Sequence, residues 1–160
     1  MEREIKEYQS LNQVAKIGGV VIFGEHEDRE IPVGELRESF NLEYSAYNRS
    51  FSDLTLDNAV ELYDSCVASL SPDTVMLHIG NNGEYWKDIS GFEQKYIALI
   101  KHIKEVSKGV RVVVVSVNDE ETNKTSQYDC DQNRDRPFFD LGTNAGLRFI
   151  HNNFLPDDFV

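Results

Sequence analysis

Five side chains in this sequence are of types that could bind a divalent cation or move a proton. Carboxylates and imidazoles are the oxygen and nitrogen ligands that metal ions accept in proteins, and an imidazole can also act as a base near neutral pH. None of the five has the fixed short spacing that is typical of metal sites, so we predict neither a metal nor a cofactor. They are Glu25, His26, Asp28, Asp53 and His78.

Hydroxyl and thiol groups offer the other candidate chemistry. Ser50 and Ser52 precede a predicted helix and could act as nucleophiles, but serine in a strand-to-helix turn more often caps the helix, and we favour that interpretation. Cys66 and Cys130 lie far apart without metal-type spacing, and Cys66 falls on the apolar side of a predicted helix. We expect both cysteines to be free thiols.

Three apolar runs predict the strands that must position these residues. Residues 20–23 are β-branched or aromatic and are flanked by glycines, and residues 75–79 and 110–117 have the same character. In none of these runs do apolar and polar residues alternate, as they do in a strand with one solvent-exposed face. Because helical segments separate the runs, we predict a parallel sheet with helices on both faces.

Ligands of such sheets bind beyond the carboxyl ends of the strands. Gly24-Glu25-His26 follows the first strand, and Gly80-Asn81-Asn82-Gly83 follows the third. We therefore expect these two segments to lie side by side. His78, within an apolar strand, is more simply a hydrogen-bonded core histidine than a ligand.

Helical periodicity and turn residues predict the remaining elements. The first helix, over residues 4–16, has an apolar side formed by Ile5, Tyr8, Leu11 and Val14. A short helix over residues 32–40 begins at a proline, and a short second strand covers residues 44–47. The other two predicted helices cover residues 55–70, where Val60 is among the apolar positions, and residues 92–106.

The carboxyl-terminal part of the sequence is less regular. Residues 118–136 are polar and charged without periodicity, which is long for a loop, so this segment is either mobile or covers the site. After it, Phe138, Leu141, Leu147, Ile150 and Phe154 predict a last helix weakened by two glycines, and residues 154–160 form a possible fifth strand.

Composition limits the classes of function. At 160 residues the chain forms one domain over residues 1–160, since no repeat or composition shift divides it. A net charge of −12 without a basic cluster opposes binding to nucleic acid or anionic lipid. No apolar run has the length of a signal peptide core or a membrane span, so we expect a cytoplasmic protein that does not bind membranes.

The order of motifs resembles the SGNH, or GDSL-type, hydrolases over most of the chain. The first block of that family, a strand followed by Gly-Asp-Ser, is similar to residues 20–26, which end in Gly24-Glu25-His26. The second block is similar to residues 47–55, and the third to residues 78–83. Three motifs in order at the ends of successive predicted strands form a more specific signal than any one motif. The resemblance implies a flavodoxin-like three-layer α/β/α sandwich with a parallel sheet of four or five strands.

The resemblance also implies a site for ester chemistry. In that family a serine attacks an ester carbonyl, a histidine held by an aspartate takes the proton, and an asparagine with backbone N–H groups stabilises the oxyanion. The asparagine corresponds to Asn82, and His26 stands at the serine position. Asn82 could equally cap its turn, and His26 could be a solvated loop residue. The binding positions carried over are Gly24, Glu25, Asn48, Arg49, Ser50, Asp53 and Gly80.

The sequence departs from the family pattern at the residues that do the chemistry. His26 stands in place of the family's serine, Asp53 in place of a glycine and Gly83 in place of an aspartate. The Asp-x-x-His motif that closes the family pattern is also missing, because no aspartate lies three residues before His151. We expect a protein that keeps the fold and binds a ligand or another protein. The alternatives are an ester or acyl hydrolase with an unusual catalytic set, acting on a small ester or acetylated carbohydrate, and a purely structural role.

Overall fold

The computed structural model of the protein describes residues 1–80 and 89–115, and of Ile89 only the backbone. Within these residues the chain forms four helices, four strands and two short 3-10 turns. The helices are α1 (Glu2–Asn12), α2 (Val33–Ser39), α3 (Ala59–Cys66) and α4 (Ile89–Val106). The strands are β1 (Val20–Gly24), β2 (Ala46–Asn48), β3 (Thr74–His78) and β4 (Arg111–Val114), and the 3-10 turns are His26–Glu30 and Ala68–Leu70.

The strands form one parallel sheet in the order β2-β1-β3-β4. The register pairs Val21 with Val75 and Gly24 with His78, so β1 and β3 end at the same edge. This arrangement confirms the predicted parallel α/β sheet and the parallel pairing of the three apolar runs. The described part of the chain supplies four strands, and the fifth predicted strand, over residues 154–160, lies outside it.

One face of the sheet carries the main hydrophobic core. Alternate strand residues point to the same face, and those that face the helices are completely buried. Phe23 contacts Tyr63 of α3 edge to face, with ring centroids 5.9 Å apart. The core comprises Val21, Phe23, Val75, Leu77 and Val112 from the sheet, Leu62, Tyr63 and Cys66 from α3, and Tyr96, Leu99 and Ile103 from α4.

The residue that precedes β1 must be a glycine. Gly19 has a φ of +83°, and a Cβ there would lie 2.2 Å from the carbonyl oxygen of Ser45. Its N–H donates to the Asp73 carboxylate at 2.6 Å. Since any side chain would collide with the backbone before β2, glycine lets the two chain segments meet and sets the start of the sheet.

The first helix is shorter than predicted. It ends at Asn12, and two residues assigned to its apolar side are exposed, Leu11 and, most strongly, Val14 at 83%. The Asn12 amide donates to the Cys66 carbonyl at 2.7 Å, and its oxygen accepts from Arg49. These bonds fix the end of α1 against α3, so the chain turns away before Val14 can reach the core.

The helix predicted over residues 55–70 is divided, and the second strand is displaced. The Asn58 amide oxygen accepts the N–H of Thr55 at 2.9 Å, so a turn precedes α3 and the regular helix begins only at Ala59. Val60 is exposed, contrary to its predicted place on the apolar side. Strand β2 covers Ala46–Asn48 instead of residues 44–47. The helices predicted over residues 32–40 and 92–106 are present as α2 and α4.

Several predictions concern parts of the chain outside the described residues. They are the role of residues 118–136, the last helix from Phe138 to Phe154, the thiol of Cys130 and the position of Asn82. In residues 1–80 and 89–115, no helix is long and apolar enough to cross a membrane.

Candidate functional site

The carboxyl ends of β1, β2 and β3 bring polar side chains together at one edge of the sheet. Glu25 follows β1, and its side chain, 4% exposed, turns inward beneath the next strand. One of its carboxylate oxygens accepts the N–H of Gly80 at 3.1 Å. This bond confirms the expected adjacency of the Gly24 and Gly80 segments, and it gives Glu25 a role in joining them.

An aspartate and a histidine form an ion pair beside Glu25. The His78 Nδ1 lies 2.9 Å and 3.0 Å from the two carboxylate oxygens of Asp28, and Asp28 is also buried. The same carboxylate accepts the N–H of Glu25 at 3.0 Å. These bonds orient the His78 imidazole, whose side chain remains 14% exposed.

The electrostatic surroundings of His78 favour its protonated form. The hydrogen bond that His78 donates to Asp28 raises the pKa of His78 above its ordinary value, and the negative charges of Asp28, Glu25 and Glu27 act in the same direction. Burial opposes this shift because it disfavours the charged imidazolium, but it does not reverse it.

Gly24 is required by the position of Asp28. A Cβ at residue 24 would lie 2.0 Å from an Asp28 carboxylate oxygen, well inside contact distance. The glycine that the family resemblance assigned to binding therefore has a structural reason: it makes room for the carboxylate that holds His78.

Asn48 and Ser50 connect β2 to this edge of the sheet. The Asn48 amide donates to the Asp28 carbonyl at 2.6 Å, and its oxygen accepts the N–H of Ser50 at 3.0 Å. The Ser50 hydroxyl oxygen accepts the N–H of Gly24 at 3.1 Å, and Ser50 is fully buried. Both side chains thus hold the turns around Asp28 in place.

Arg49 lies behind the site, against α1. Its guanidinium donates to the Asn12 amide oxygen through Nε at 2.9 Å and Nη2 at 2.7 Å, and Nη1 donates to the Asn48 carbonyl. It lies between the rings of Tyr8 and Tyr47, at 5.1 Å and 5.4 Å from their centroids. At 5% exposure, Arg49 is placed to attach α1 to the end of β2.

His26 and Asp53 are exposed, and Ser52 is bonded to residues other than the buried pair. His26 is the exposed first residue of the 3-10 turn that contains Asp28. The Ser52 hydroxyl donates to Glu4 at 2.9 Å and accepts from Arg29 at 2.8 Å, and Asp53 is exposed. Asn82, the predicted oxyanion group, lies outside the described residues.

Cys66 is a core thiol, and the described residues contain no cluster of metal ligands. Burial raises the pKa of the Cys66 thiol to about 11, so this core cysteine is protonated at neutral pH and is a poor nucleophile. Residues 1–80 and 89–115 contain no group of three or more histidine, cysteine and acidic side chains that could hold a metal ion.

The sequence did not reveal the pairing of Asp28 with His78. These residues are 50 positions apart, and no local period relates a turn residue to the last residue of a distant strand. The available signal was indirect: Asp28 follows β1, His78 ends an adjacent parallel strand, and polar residues at the carboxyl ends of neighbouring strands approach one another.

Comparison with known proteins supports the fold. No protein-family model and no curated protein matches the sequence. Among solved structures, a Streptococcus pneumoniae protein provisionally named as a platelet activating factor matches with a TM-score of 0.62 and 17% identity, over 83% of this chain and 66% of its own. A provisionally named acylhydrolase from Bacteroides fragilis matches with a TM-score of 0.57 and 13% identity, over 81% of this chain and 73% of its own.

A third structure, provisionally named a GDSL-like lipase, comes from Parabacteroides merdae and has a TM-score of 0.48 and 20% identity, over 63% of this chain and 60% of its own. The chain spans less than two thirds of the length of the pneumococcal and Parabacteroides proteins, 66% of the first and 60% of the second. At such identities the likeness to the first two structures shows the fold alone, an α/β fold with a parallel sheet of the flavodoxin-like type.

Proposed function

We propose that this chain, which has the flavodoxin-like α/β fold of SGNH-type hydrolases, is a divergent member of that class that binds a ligand and has lost the usual hydrolytic triad. The binding region is the carboxyl edge of β1, β2 and β3. Glu25, Asp28 and His78 line its buried part, and His26 lies at its exposed rim.

The observation that carries this proposal is that the serine hydroxyls near the site are bonded to groups other than a catalytic base. The serine position after β1 is occupied by His26, which is exposed. Ser50 is bonded to the N–H of Gly24, and Ser52 to Glu4 and Arg29. Acyl-enzyme chemistry needs a hydroxyl held within reach of a base, and these two serines are instead bonded to groups that organise the fold.

The proposed ligand is a small ester or a carbohydrate-like molecule. Carbohydrate hydroxyls both donate and accept hydrogen bonds, so they suit an edge where carboxylates and imidazoles alternate with backbone N–H groups. Asn82, if it reaches the same edge, would add an amide that bonds a carbonyl or a hydroxyl. The net charge of −12 supports a neutral ligand over nucleic acid or an anionic membrane.

A direct test combines turnover and binding measurements on the purified chain. With short-chain aryl esters and acetylated sugars, we expect turnover far below the rate of about 1 per second that ordinary enzymes exceed. His26→Ala should change this background little. In saturation-transfer NMR, N-acetylglucosamine and methyl acetate serve as probes, and Asp28→Asn should weaken any binding at the strand edge. Rapid turnover abolished by His26→Ala would contradict the proposal.

A second candidate function, hydrolysis with a non-standard catalytic set, is favoured by the Asp28–His78 pair. A carboxylate that orients an imidazole is the part of a catalytic triad that remains when the serine is absent. Such a pair could deprotonate a water molecule that attacks an ester carbonyl. The carbonyl carbon would gain the water oxygen and lose the alkoxide, which would take the proton from the imidazolium.

The two functions differ in whether hydrolysis depends on His78 and Asp28. If the chain is a hydrolase of this kind, His78→Gln and Asp28→Asn should each reduce kcat/KM strongly, whereas His26→Ala should not. If it is a binding module, neither variant should change a hydrolytic rate that is already at background. Circular dichroism of each variant would separate lost chemistry from lost fold.

A further inference from the structure

Helix α1 lies against the chain segments that form the candidate site. Its side chains are all exposed or half-buried. Glu4 and Tyr8, both half-buried, are four residues apart and therefore lie on the same side of the helix. That side faces the turns around Asp28, to which both side chains are bonded.

Glu4 is bonded to the 3-10 turn that carries Asp28. One of its carboxylate oxygens lies 3.3 Å from Nε of Arg29, the residue after Asp28. The same oxygen accepts the hydroxyl of Ser52 at 2.9 Å, and Arg29 donates to that hydroxyl at 2.8 Å. Consecutive residues of a 3-10 helix point to different sides. Asp28 therefore faces His78 while Arg29 faces α1, and the three bonds hold the outer side of the turn.

Tyr8 holds the backbone on the other side of Asp28. Its hydroxyl donates to the carbonyl of Ser50 at 2.6 Å. Ser50 is fully buried, and its own hydroxyl accepts the N–H of Gly24, the residue that makes room for the Asp28 carboxylate. Through one intermediate residue, Tyr8 thus supports the strand end against which Asp28 packs.

We propose that α1 is a positioning element of the site: Glu4 and Tyr8, with Arg29, hold the Asp28 carboxylate against the His78 imidazole. Because the Asp28–His78 pair belongs to the proposed ligand site, this role of α1 rests on the proposed function. Loss of any one of these bonds loosens the Asp28 turn without removing an atom of the pair. Such coupling is reciprocal, so a ligand that requires an oriented His78 also favours the docked position of α1.

The pKa of His78 reports the position of the Asp28 turn. Its hydrogen bond to Asp28 is the main reason that the pKa lies above the ordinary value. Among the described residues, the other charges that raise this pKa belong to Glu25 and Glu27, which lie in or next to the same turn. Movement of the turn away from His78 weakens all three effects, so the pKa falls.

An NMR titration of the His78 ring in the full chain tests the proposal. Tyr8→Phe removes one hydroxyl without changing the charge, and it keeps the ring that contacts Phe51 edge to face. We expect it to lower the His78 pKa by about 0.3 or more, a fraction of the shift of about 1–3 that a neighbouring opposite charge produces. Tyr44→Phe, which removes the hydroxyl of an exposed tyrosine, is the matched control and should leave this pKa unchanged.

Arg29→Gln separates positioning from charge. Removal of a nearby positive charge by itself favours the imidazolium and raises the pKa of His78, whereas release of the Asp28 turn lowers it. We expect the pKa to fall. In the matched control Arg37→Gln, whose guanidinium is exposed and bonds the adjacent Glu38, we expect no change.

Either of two results would overturn the proposal: a higher His78 pKa in Arg29→Gln, or an unchanged one in Tyr8→Phe. The backbone amide spectrum of each variant shows whether it is folded, and the half-exposed Arg29 can be replaced without opening the core. The titration needs no ligand. Rapid ester turnover abolished by His26→Ala would therefore contradict the proposed function and leave the role of α1 intact, whereas an unchanged pKa in Tyr8→Phe would do the reverse.

Discussion

Asp28 is the residue on which most of the site depends. Its carboxylate bonds His78 and the backbone of Glu25, and its carbonyl accepts from Asn48. The side chain and the backbone carbonyl of this one residue therefore join three different parts of the chain. Removal of the Asp28 carboxylate would leave its buried or half-buried partners without their hydrogen bonds. The free-energy cost of such unpaired polar groups exceeds the modest net stabilisation that an ordinary hydrogen bond provides.

The contact between Asp28 and Gly24 gives a first prediction. Gly24→Ala should lower the free energy of unfolding by about 1–3 kcal/mol, because the new methyl group would overlap the Asp28 carboxylate. Gly34→Ala is the matched control, since no atom lies within 4 Å of a Cβ there and alanine favours helix α2 by about 0.5–1 kcal/mol. Urea denaturation measures both. Equal effects would contradict the predicted overlap.

The raised pKa of His78 gives a second prediction. Its hydrogen bond to Asp28 stabilises the imidazolium of the folded protein, so the contribution is complete below the unfolded pKa of about 6.5. It is lost as the pH rises through the higher folded pKa. The urea midpoint of the wild type should therefore fall, relative to that of Asp28→Asn, as the pH rises above about 6.5.

An NMR titration of the His78 ring measures this shift independently of stability. The folded protein should show a His78 pKa above the ordinary value, and Asp28→Asn should move it downward. A titration at or below about 6.5 in the wild type would show that burial outweighs the ion pair.

At the scale of elements, α1 is attached to the sheet by the buried guanidinium of Arg49, which forms no ion pair with a carboxylate of residues 1–80 or 89–115. The guanidinium of Arg49 is held by the Asn12 oxygen and by the rings of Tyr8 and Tyr47. The planar shape of the group suits this position, because it donates twice to one oxygen and lies over both rings. Burial lowers the pKa of Arg49, which reflects the cost of removing this charge from water.

A conservative substitution of Arg49 should therefore be harmful. Arg49→Lys should lower the free energy of unfolding by about 1–3 kcal/mol, because a lysine cannot replace the paired donors or the stacking. Arg37→Lys, whose guanidinium is exposed and bonds the adjacent Glu38, should change it by less than about 0.5 kcal/mol.

Hydrogen exchange would locate the effect of this substitution. Amides of α1 should exchange faster in Arg49→Lys, whereas those of β3 should remain protected. Uniform acceleration in both elements would indicate that Arg49 stabilises the whole fold instead of the attachment of α1.

The elements that could be predicted from the sequence are those with a local period. The apolar runs around Val21, Val75 and Val112 mark buried strands, and the spacing in α4 marks a helix. The exposure of Val14 could not be predicted, since it depends on a tertiary bond between Asn12 and Cys66 that ends α1 early. The predicted bounds of the three-residue strand β2 were wrong because its limits follow from its pairing with β1, in which Ala46 lies opposite Val20 and Asn48 opposite Ile22.

The adjacency of the segments that follow β1 and β3 was predicted, whereas the side-chain contacts between them were not. The carboxyl ends of β1 and β3 follow from the parallel sheet, so the closeness of Gly24 and Gly80 could be expected. The roles of Glu25 and Asp28 could not, because they depend on side chains that turn inward after the strand ends. A motif comparison aligns residue positions, whereas the direction of a side chain is set by the turn that follows.

At the scale of the whole molecule, charge is the dominant property. Acidic residues exceed basic ones by twelve, and the described ion pairs lie mostly at the surface, where each contributes little. A folded chain holds these like charges closer together than an unfolded one does, so their mutual repulsion opposes folding. The hydrophobic core formed by α3, α4 and one face of the sheet must offset that repulsion.

Salt should therefore stabilise this protein. Between about 20 and 200 mM NaCl the screening length falls from roughly 20 Å to below 10 Å, so repulsion between separate surface carboxylates is reduced. We expect the urea midpoint to rise over this range. Glu43→Gln with Glu61→Gln, which removes two exposed negative charges, should make the rise smaller, and Lys108→Gln should make it larger. A midpoint that falls with salt in the wild type would contradict this prediction. It would mean that the attraction within ion pairs such as Asp28–His78 contributes more to the free energy of unfolding than the repulsion among the surface carboxylates does.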